Sequence, residues 1–279
     1  MTLSRSRYLS VLDLEFHVTE WGDAAAPALV MWHGLARTGR DFDTLAAHFS
    51  DRYRVICPDT LGRGLSGWSV EPQRDYTLAA YVKHALGIFD ELGIGRMTWI
   101  GTSMGGALGM LLAAGPLKGR MERLVMNDIG PTLNPAAVER IRAYVTQIPD
   151  FPGMTAFEDF LRLVYKPYGA LTDEEWRRMA ETSARRRDDG RITVHYDPAV
   201  MRVFAASAGD YELWEAYDRV ECPTLVLRGA ESDLLLPEVA DEMTRRGPKA
   251  RLATIPGCGH APALNVPEQI GLLERFLAE

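Results

Sequence analysis

A serine flanked by glycines is the first residue of the chain whose surroundings suggest chemistry. The segment Gly101–Gly106, with sequence GTSMGG, follows an apolar run at 97–100 and precedes a helix-like stretch at 107–114. This pattern predicts that Ser103 lies at a strained strand-to-helix corner, where the residues two positions to either side must be small. The helix that follows would direct partial positive charge toward the serine oxygen. Because a free hydroxyl is a weak nucleophile, Ser103 also needs a base and an acid.

A histidine near the end of the chain meets the requirement for a base. The strand-like run 251–255 is followed by a turn-rich segment in which His260 lies between Gly259 and Ala261. A loop directly after a strand is where an α/β sheet presents its functional side chains. The other histidines at 17, 48, 84 and 195 occur in strand- or helix-like contexts, and we expect them to be ordinary surface or interior residues.

Two aspartates follow strands and are candidates for the acid. Asp233 comes after the apolar strand 224–228 and lies one strand before His260. Asp128 ends the strand-like run 124–127 and leads directly into Ile129-Gly130-Pro131, a turn that leaves for another segment. We expect Asp233 to be the acid, and Asp128 is the alternative.

Acyl transfer also needs hydrogen-bond donors for the negative charge that develops on a carbonyl oxygen. The apolar run 28–32 predicts a buried strand that ends at His33-Gly34-Leu35. We expect the backbone N–H of Leu35 and that of Met104 to form this oxyanion site. His33 is expected to fix the loop rather than to act as a base.

The elements that must position these residues alternate between strand and helix, which predicts a mainly parallel sheet. Strand-like runs lie at 28–32, 54–57, 97–101, 124–127, 224–228 and 251–255, with an early hairpin near 11–20. Between about 132 and 211 no strand of comparable strength occurs, and helix-like stretches predominate. We therefore predict a core of residues 1–131 and 212–279 and a helical lid of residues 132–211.

Composition narrows the class of protein. The 279 residues, 47% of them hydrophobic, suffice for one large sheet with an insertion. The formal net charge of −7 disfavours nucleic acid as a partner. Three widely spaced cysteines favour reduced thiols over disulfides or a metal site. Without a run of ~20 apolar residues or a secretion signal, we expect no membrane association and a cytoplasmic protein.

Together these segments resemble the α/β-hydrolase fold, in particular its lid-bearing group of esterases, lactonases and C–C hydrolases. The resemblance covers nearly the whole chain, and the order Ser103, Asp233, His260 is that of the fold's catalytic triad. Further matching segments are Trp32-His33-Gly34, the run from Cys57 to Ser66, Asn127 to Pro131, Gly229 to Asp233, and Gly257 to His260. The resemblance implies an α/β fold with a mostly parallel central sheet flanked by helices and a helical lid insertion. It also implies that Gly62 and Gly64 shape a loop beside the pocket.

The resemblance, with Ser103 as nucleophile, implies a carboxylic ester hydrolase that forms an acyl-enzyme on a small or medium apolar ester or lactone. No cofactor and no metal are expected, and the oligomeric state stays open. We expect Trp176, Tyr144 and Leu264 to contact substrate. Two alternatives remain. One is a C–C bond hydrolase of aromatic ring-cleavage products, although Thr102 and Ala261 depart from the residues many of those enzymes have. The other is a non-catalytic ligand receptor.

Overall fold

The structure, a computed structural model, describes residues 4–145 and 149–279, without the side chains of residues 141–145 and 208. The strands that it describes are β1 (Arg5–Val11), β2 (Leu14–Trp21), β3 (Ala28–Trp32), β4 (Arg54–Pro58), β5 (Met97–Thr102), β6 (Met121–Asn127), β7 (Asp150–Phe151), β8 (Ala184–Arg186), β9 (Ile192–Val194), β10 (Thr224–Gly229) and β11 (Arg251–Ile255).

The α-helices of the same residues are α1 (Asp43–Phe49), α2 (Pro72–Asp75), α3 (Leu78–Leu92), α4 (Met104–Ala114), α5 (Pro135–Val145), α6 (Met154–Val164), α7 (Asp173–Ser183), α8 (Pro198–Ala206), α9 (Trp214–Tyr217), α10 (Pro237–Met243) and α11 (Pro267–Leu277). Short 3-10 turns lie at Gly39–Phe42, Lys166–Tyr168 and Ala208–Tyr211.

The central sheet has eight strands in the order β1-β2-β4-β3-β5-β6-β10-β11. Strand β2 pairs antiparallel with both β1 and β4. In the sheet order from β4 to β11, every neighbouring pair is parallel. The predicted mostly parallel sheet is therefore confirmed, as are its six main strands. Because the strands from β3 onward run in one direction, their carboxyl ends meet at one edge of the sheet.

Both faces of this sheet are buried, as expected where helices cover a parallel sheet. In β3, Val30 and Trp32 pack on one side in the cluster that includes residues of α3 and α4. Leu29 and Met31 pack on the other side with residues of α1 and α11. Because side chains on both faces of β3 are buried, the strand is apolar at successive positions. Packing on both faces fixes the carboxyl end of β3 in place.

Between β6 and β10 the chain leaves the central sheet, and we call residues 128–223 the inserted segment. It contains α5 to α9 and a small antiparallel sheet in the order β7-β9-β8. Phe157 and Leu161, four residues apart on α6, pack against Trp176 of α7 in a separate apolar cluster. The sequence did not reveal the small sheet, since strands of two or three residues are too short to show alternation.

The lid boundaries at 132 and 211 stay predictions. Strand β6 ends at Asn127 and β10 begins at Thr224, so the excursion from the central sheet is longer than the predicted lid. Among the described helices, none combines the length and the apolar character that crossing a bilayer requires.

Candidate active site

Ser103 occupies a sharp corner between β5 and α4. Its φ of 53° and ψ of −118° place a non-glycine residue in a sparsely populated backbone region. The backbone N–H of Ser103 donates to the carbonyl of Asn127 at 2.9 Å, which anchors the corner to β6. The predicted strained serine at the carboxyl edge of the sheet therefore has the expected local geometry.

The glycines around Ser103 are required by close backbone contacts. A Cβ atom on Gly101 would lie 2.3 Å from the carbonyl group of Gly105. A Cβ atom on Gly105 would lie 2.1 Å from the carbonyl oxygen of Trp32, at the end of β3. Neither contact is possible for a side chain, so α4 can begin directly against β3 and β5 only with glycine at both positions.

His260 reaches Ser103 from the loop after β11. Its Nε2 lies 2.9 Å from the Oγ atom of Ser103, where the hydroxyl can donate to the ring. The imidazole is about one-fifth exposed, so it lies between the protein interior and the space above the serine. The candidates for base and nucleophile, separated by 157 positions in the sequence, are thus joined by one hydrogen bond.

The acid that contacts His260 is Asp128, which follows β6. The Nδ1 atom of His260 lies 2.7 Å from Oδ2 of Asp128, and the carboxylate is fully buried. The same carboxylate accepts hydrogen bonds from the backbone N–H of Gly229 at 2.8 Å and from the Ser232 hydroxyl at 2.6 Å. Ionised Asp128 favours Nδ1–H as donor and leaves Nε2 free to accept from Ser103.

The prediction that Asp233 orients the histidine was wrong. The side chain of Asp233 is about half exposed and forms a bidentate ion pair with Arg140 of α5, with distances of 2.9 and 3.0 Å. In the turn after β10, Ser232 points inward and Asp233 points toward solvent. The loop expected to supply the acid instead supplies two donors, Gly229 N–H and the Ser232 hydroxyl, to Asp128.

Asn127 links the loops of the site, a role that the sequence motifs did not indicate. Its Nδ2 donates to Thr102 Oγ1 at 3.0 Å and to the carbonyl of Pro262 at 2.9 Å. These bonds join the residue before Ser103 to the loop that carries His260. A polar residue at the end of a strand, directly before an aspartate, was the available signal.

The loop after β3 lies against the serine. A Cβ on Gly34 would be 3.6 Å from the Cβ of Ser103, so Gly34 lies directly beside the serine. Leu35, the next residue, therefore lies at the edge of the site. His33 donates from Nδ1 to the carbonyl of Gly34 at 2.7 Å and accepts at Nε2 from the Thr60 N–H at 2.9 Å. Burial lowers the pKa of His33 to about 4, so the ring is neutral and holds the loop.

The two predicted oxyanion donors are near the serine. Met104 is the first residue of α4, and its N–H belongs to the first turn of a helix, which has no partner within that helix. Within the described part of the chain, the N–H of Leu35 donates no hydrogen bond. Both groups therefore remain candidates for binding an oxyanion.

The inserted segment docks onto the core around this site. His195 accepts at Nδ1 from the Gly64 N–H at 2.8 Å, and the Asp197 N–H donates to the Gly62 carbonyl, also at 2.8 Å. Burial lowers the pKa of His195 to about 3, assisted by the positive charge of Arg37. The loop with Gly62 and Gly64 thus forms part of the docking surface for the segment.

A cavity of about 50 Å³ lies beside the serine and histidine loops. Its walls include Thr102 and Pro262 from the core, and Tyr168, Met179 and Arg178 from the inserted segment. Ligand sites usually measure ~300–1,000 Å³, so this cavity is smaller than a usual ligand site.

Two of the three residues expected to contact substrate do not line this cavity. Trp176 is buried in the apolar cluster of the inserted segment, with Arg162 over its ring at 5.7 Å. Leu264 is 1% exposed and packs in the core beneath the sheet. Both are apolar enough to be core residues, and spacing alone could not separate the two roles. The side chain of Tyr144 lies outside the described residues.

In the described residues, no group of three or more His, Cys, Asp or Glu side chains could hold a metal ion. At Ser103 the described side chains form a hydrogen-bonded chain of serine, histidine and aspartate.

The central sheet is that of a known family. Residues 29–270 match the model of the alpha/beta hydrolase family, and the chain belongs to that family.

The chain is similar to several hydrolases of known name. It is 40% identical over 267 residues to the 3-hydroxybutyrate-oligomer hydrolase of Cupriavidus necator, covering 92% of this chain and 90% of that protein. It is 28% identical over 258 residues to the 2-hydroxymuconate semialdehyde hydrolase of Pseudomonas putida, covering 91% and 87%. A crystal structure of an alpha/beta hydrolase from Novosphingobium aromaticivorans superposes with a TM-score of 0.89 at 35% identity, covering 100% of this chain and 99% of that one.

These relatives support hydrolase activity for this chain. One is named for 3-hydroxybutyrate oligomers and the other for 2-hydroxymuconate semialdehyde, so the relatives act on different substrates.

Proposed function

We propose that the protein is a serine hydrolase that cleaves a carboxylic ester through an acyl-enzyme. The observation that carries the proposal is the continuous hydrogen-bonded chain from Ser103 Oγ through His260 to buried Asp128, at 2.9 and 2.7 Å. This is the arrangement in which imidazole activates a serine and a carboxylate orients and stabilises the resulting imidazolium.

In the first half-reaction, Ser103 Oγ attacks the ester carbonyl carbon while its proton moves to His260 Nε2. The carbonyl oxygen becomes an oxyanion, which accepts hydrogen bonds from the N–H groups of Leu35 and Met104. When the intermediate collapses, the C–O bond to the alcohol breaks and His260 gives its proton to the departing oxygen. A single oxyanion donor of this kind contributes about 10²–10³ in kcat.

In the second half-reaction, water takes the place of the alcohol. His260 accepts a proton from the water as its oxygen attacks the acyl carbon, and the oxyanion forms again in the same site. Collapse releases the carboxylic acid and returns the proton from His260 to Ser103. Asp128 remains ionised throughout and holds the imidazole in the required tautomer.

The favoured substrate class is a small ester of a hydroxy acid, with lactones included because they present the same carbonyl. The similarity to a 3-hydroxybutyrate-oligomer hydrolase supports this choice. The polar lining of the cavity, with Asn265 and Arg178 beside the aromatic ring of Tyr168, also suits an ester that carries further polar groups. The cavity is too small for such a substrate, so we expect the inserted segment to move during binding.

The experiment that tests this function compares wild type with Ser103→Ala. The substrates are p-nitrophenyl acyl esters of increasing length, a linear dimer of 3-hydroxybutyrate, and a vinylogous 1,5-diketone ring-cleavage product. We expect wild type to hydrolyse the esters with an acyl-enzyme visible by intact mass, and the variant to show neither.

Full ester turnover by Ser103→Ala would rule out the serine mechanism. Cleavage of the diketone faster than every ester would instead favour the C–C hydrolase. Binding without turnover of any substrate would favour the receptor.

A further inference from the structure

Arg63 is a fully buried arginine in the loop between Gly62 and Gly64, and the catalytic steps above do not use it. Its Nε donates to the carbonyl oxygen of Leu35 at 3.0 Å. Its Nη1 donates to the carbonyl of Leu61 at 2.7 Å and to the Tyr81 hydroxyl at 2.6 Å. Its Nη2 lies 3.6 Å from Sδ of Met104. One guanidinium therefore contacts both residues whose N–H groups are the proposed oxyanion donors.

The positive charge of Arg63 is not neutralised by an ion pair. Among the described residues, no carboxylate oxygen lies within 4.0 Å of its guanidinium. Burying a cation without a counter-ion lowers the stability of the fold. On electrostatic grounds alone, replacing Arg63 by an apolar residue should therefore not destabilise the protein. The ring of Tyr81, with its centroid 5.0 Å from the guanidinium carbon, offsets part of this cost.

The contacts of Arg63 join two parts of the site that come from different loops. Leu35 lies after β3, and Met104 begins α4 after Ser103. The bond to the Leu35 carbonyl restrains the residue whose N–H is one proposed donor, and the contact with Sδ restrains the Met104 side chain. Oxyanion stabilisation depends on donors held in place before the charge develops, so their relative position matters for rate.

We propose that Arg63 is the positioning residue of the oxyanion site: it holds Leu35 and Met104 in register, and its buried charge favours negative charge between them. This inference rests on the proposed function. It predicts that loss of Arg63 slows the chemical step much more than it weakens substrate binding.

The test uses Arg63→Met and Arg63→Lys, with Arg54→Met as a matched control. Arg54 also donates to a backbone carbonyl, that of Leu92 at 3.0 Å, and pairs with Glu20, but it lies at the first residue of β4, away from the strand ends that carry the site. The control therefore measures the general effect of losing a structural arginine.

Three quantities are measured on each variant. The first is kcat and KM for p-nitrophenyl acetate. The second is the rate at which a fluorophosphonate modifies Ser103, followed by intact mass. In that reaction the serine oxygen bonds to phosphorus, its proton passes to His260, fluoride leaves, and the phosphoryl oxygen occupies the oxyanion site. The third is folding, from near-UV circular dichroism and thermal unfolding.

We expect Arg63→Met to lower kcat by about 100-fold with KM changed less than about 3-fold, and to slow phosphonylation in parallel. Lysine retains the charge but not the planar set of donors, so Arg63→Lys should recover part of the rate. Arg54→Met should lower the unfolding temperature and leave both rates near wild type.

A folded Arg63→Met that retains the wild-type kcat and phosphonylation rate would overturn the inference, as would an equal loss of rate in Arg54→Met. If Arg63→Met does not fold, Arg63→Lys decides by the same criteria. Failure of wild type to react with the fluorophosphonate would instead refute the proposed serine nucleophile, and the oxyanion site with it.

Discussion

The Nδ1 atom of His260 lies 2.7 Å from Oδ2 of Asp128, a residue 132 positions earlier in the chain. The carboxylate also accepts hydrogen bonds from Gly229 N–H and Ser232 Oγ, so three donors converge on it in the protein interior. The loop after β10 therefore contributes to the site by holding the acid rather than by providing it.

This relationship predicts opposite results for two conservative substitutions. Asp128→Asn should reduce kcat by about 10⁴-fold, because the amide favours the wrong histidine tautomer and cannot stabilise the imidazolium. Asp233→Asn removes only a half-exposed ion pair with Arg140 and should leave kcat within about 2-fold. Steady-state hydrolysis of p-nitrophenyl acetate measures both, and a larger loss in Asp233→Asn than in Asp128→Asn would contradict the assignment.

The corner at Ser103 should not tolerate a methyl group at Gly105. The new Cβ would lie 2.1 Å from the Trp32 carbonyl oxygen, and both partners are backbone in packed elements. We expect Gly105→Ala to cost about 3 kcal/mol or more in the free energy of unfolding, measured by urea denaturation. Gly95→Ala is the control, since a Cβ added there would have no neighbour within 4 Å, and it should change stability by less than about 0.5 kcal/mol. Equal stabilities for the two variants would show that the close contact is absent.

Three buried histidines predict acid sensitivity. Burial lowers the pKa of His33 and His84 to about 4 and that of His195 to about 3, against an ordinary value of 6.5. Between about pH 4 and 6.5 the unfolded chain therefore binds more protons, and stability rises with pH by up to about 1.4 kcal/mol per unit for each histidine.

Urea denaturation from pH 4.5 to 7.5 measures this slope. His84→Phe keeps a ring against Phe16 and Tyr81 but removes one titrating group, so its slope should be smaller than that of wild type. An unchanged slope in this variant would show that His84 binds the same number of protons in the folded and the unfolded protein, against a lowered pKa.

The docking of the inserted segment should depend on the Tyr76 hydroxyl. It donates to Oδ2 of Asp197 at 2.8 Å and accepts from the Ser69 N–H, also at 2.8 Å. Tyr76→Phe leaves a buried carboxylate with one donor fewer, at a cost of about 1–3 kcal/mol. We expect Tyr76→Phe to speed backbone hydrogen exchange in residues 192–206 relative to wild type and to leave exchange in β5 and β6 unchanged.

The exposed Tyr8 offers a control, because Tyr8→Phe should leave exchange unchanged. Uniformly faster exchange in the central sheet would mean that the bond stabilises the whole fold and not the docking.

The sequence alone was sufficient to predict the sheet and the corner that carries Ser103. Apolar runs bounded by turns identified β3, β5 and β10, since strands buried on both faces must be continuously apolar. The glycines around Ser103 indicated the corner, because only glycine permits such close backbone contacts. His260 was recognisable from its position on a loop directly after a strand.

Tertiary structure decided which aspartate contacts His260 and which residues line the cavity. Asp128 and Asp233 both follow strands, and chain order favoured Asp233, but the direction of each side chain depends on how its loop turns after the strand. Ser232 turns inward and Asp233 turns toward Arg140. Trp176 and Leu264 are apolar residues of the kind that lines pockets. Trp176 is instead buried in the apolar cluster of the inserted segment, and Leu264 is buried in the core. Local residue patterns specify elements and corners, whereas side-chain direction and burial arise from contacts between residues far apart in the chain.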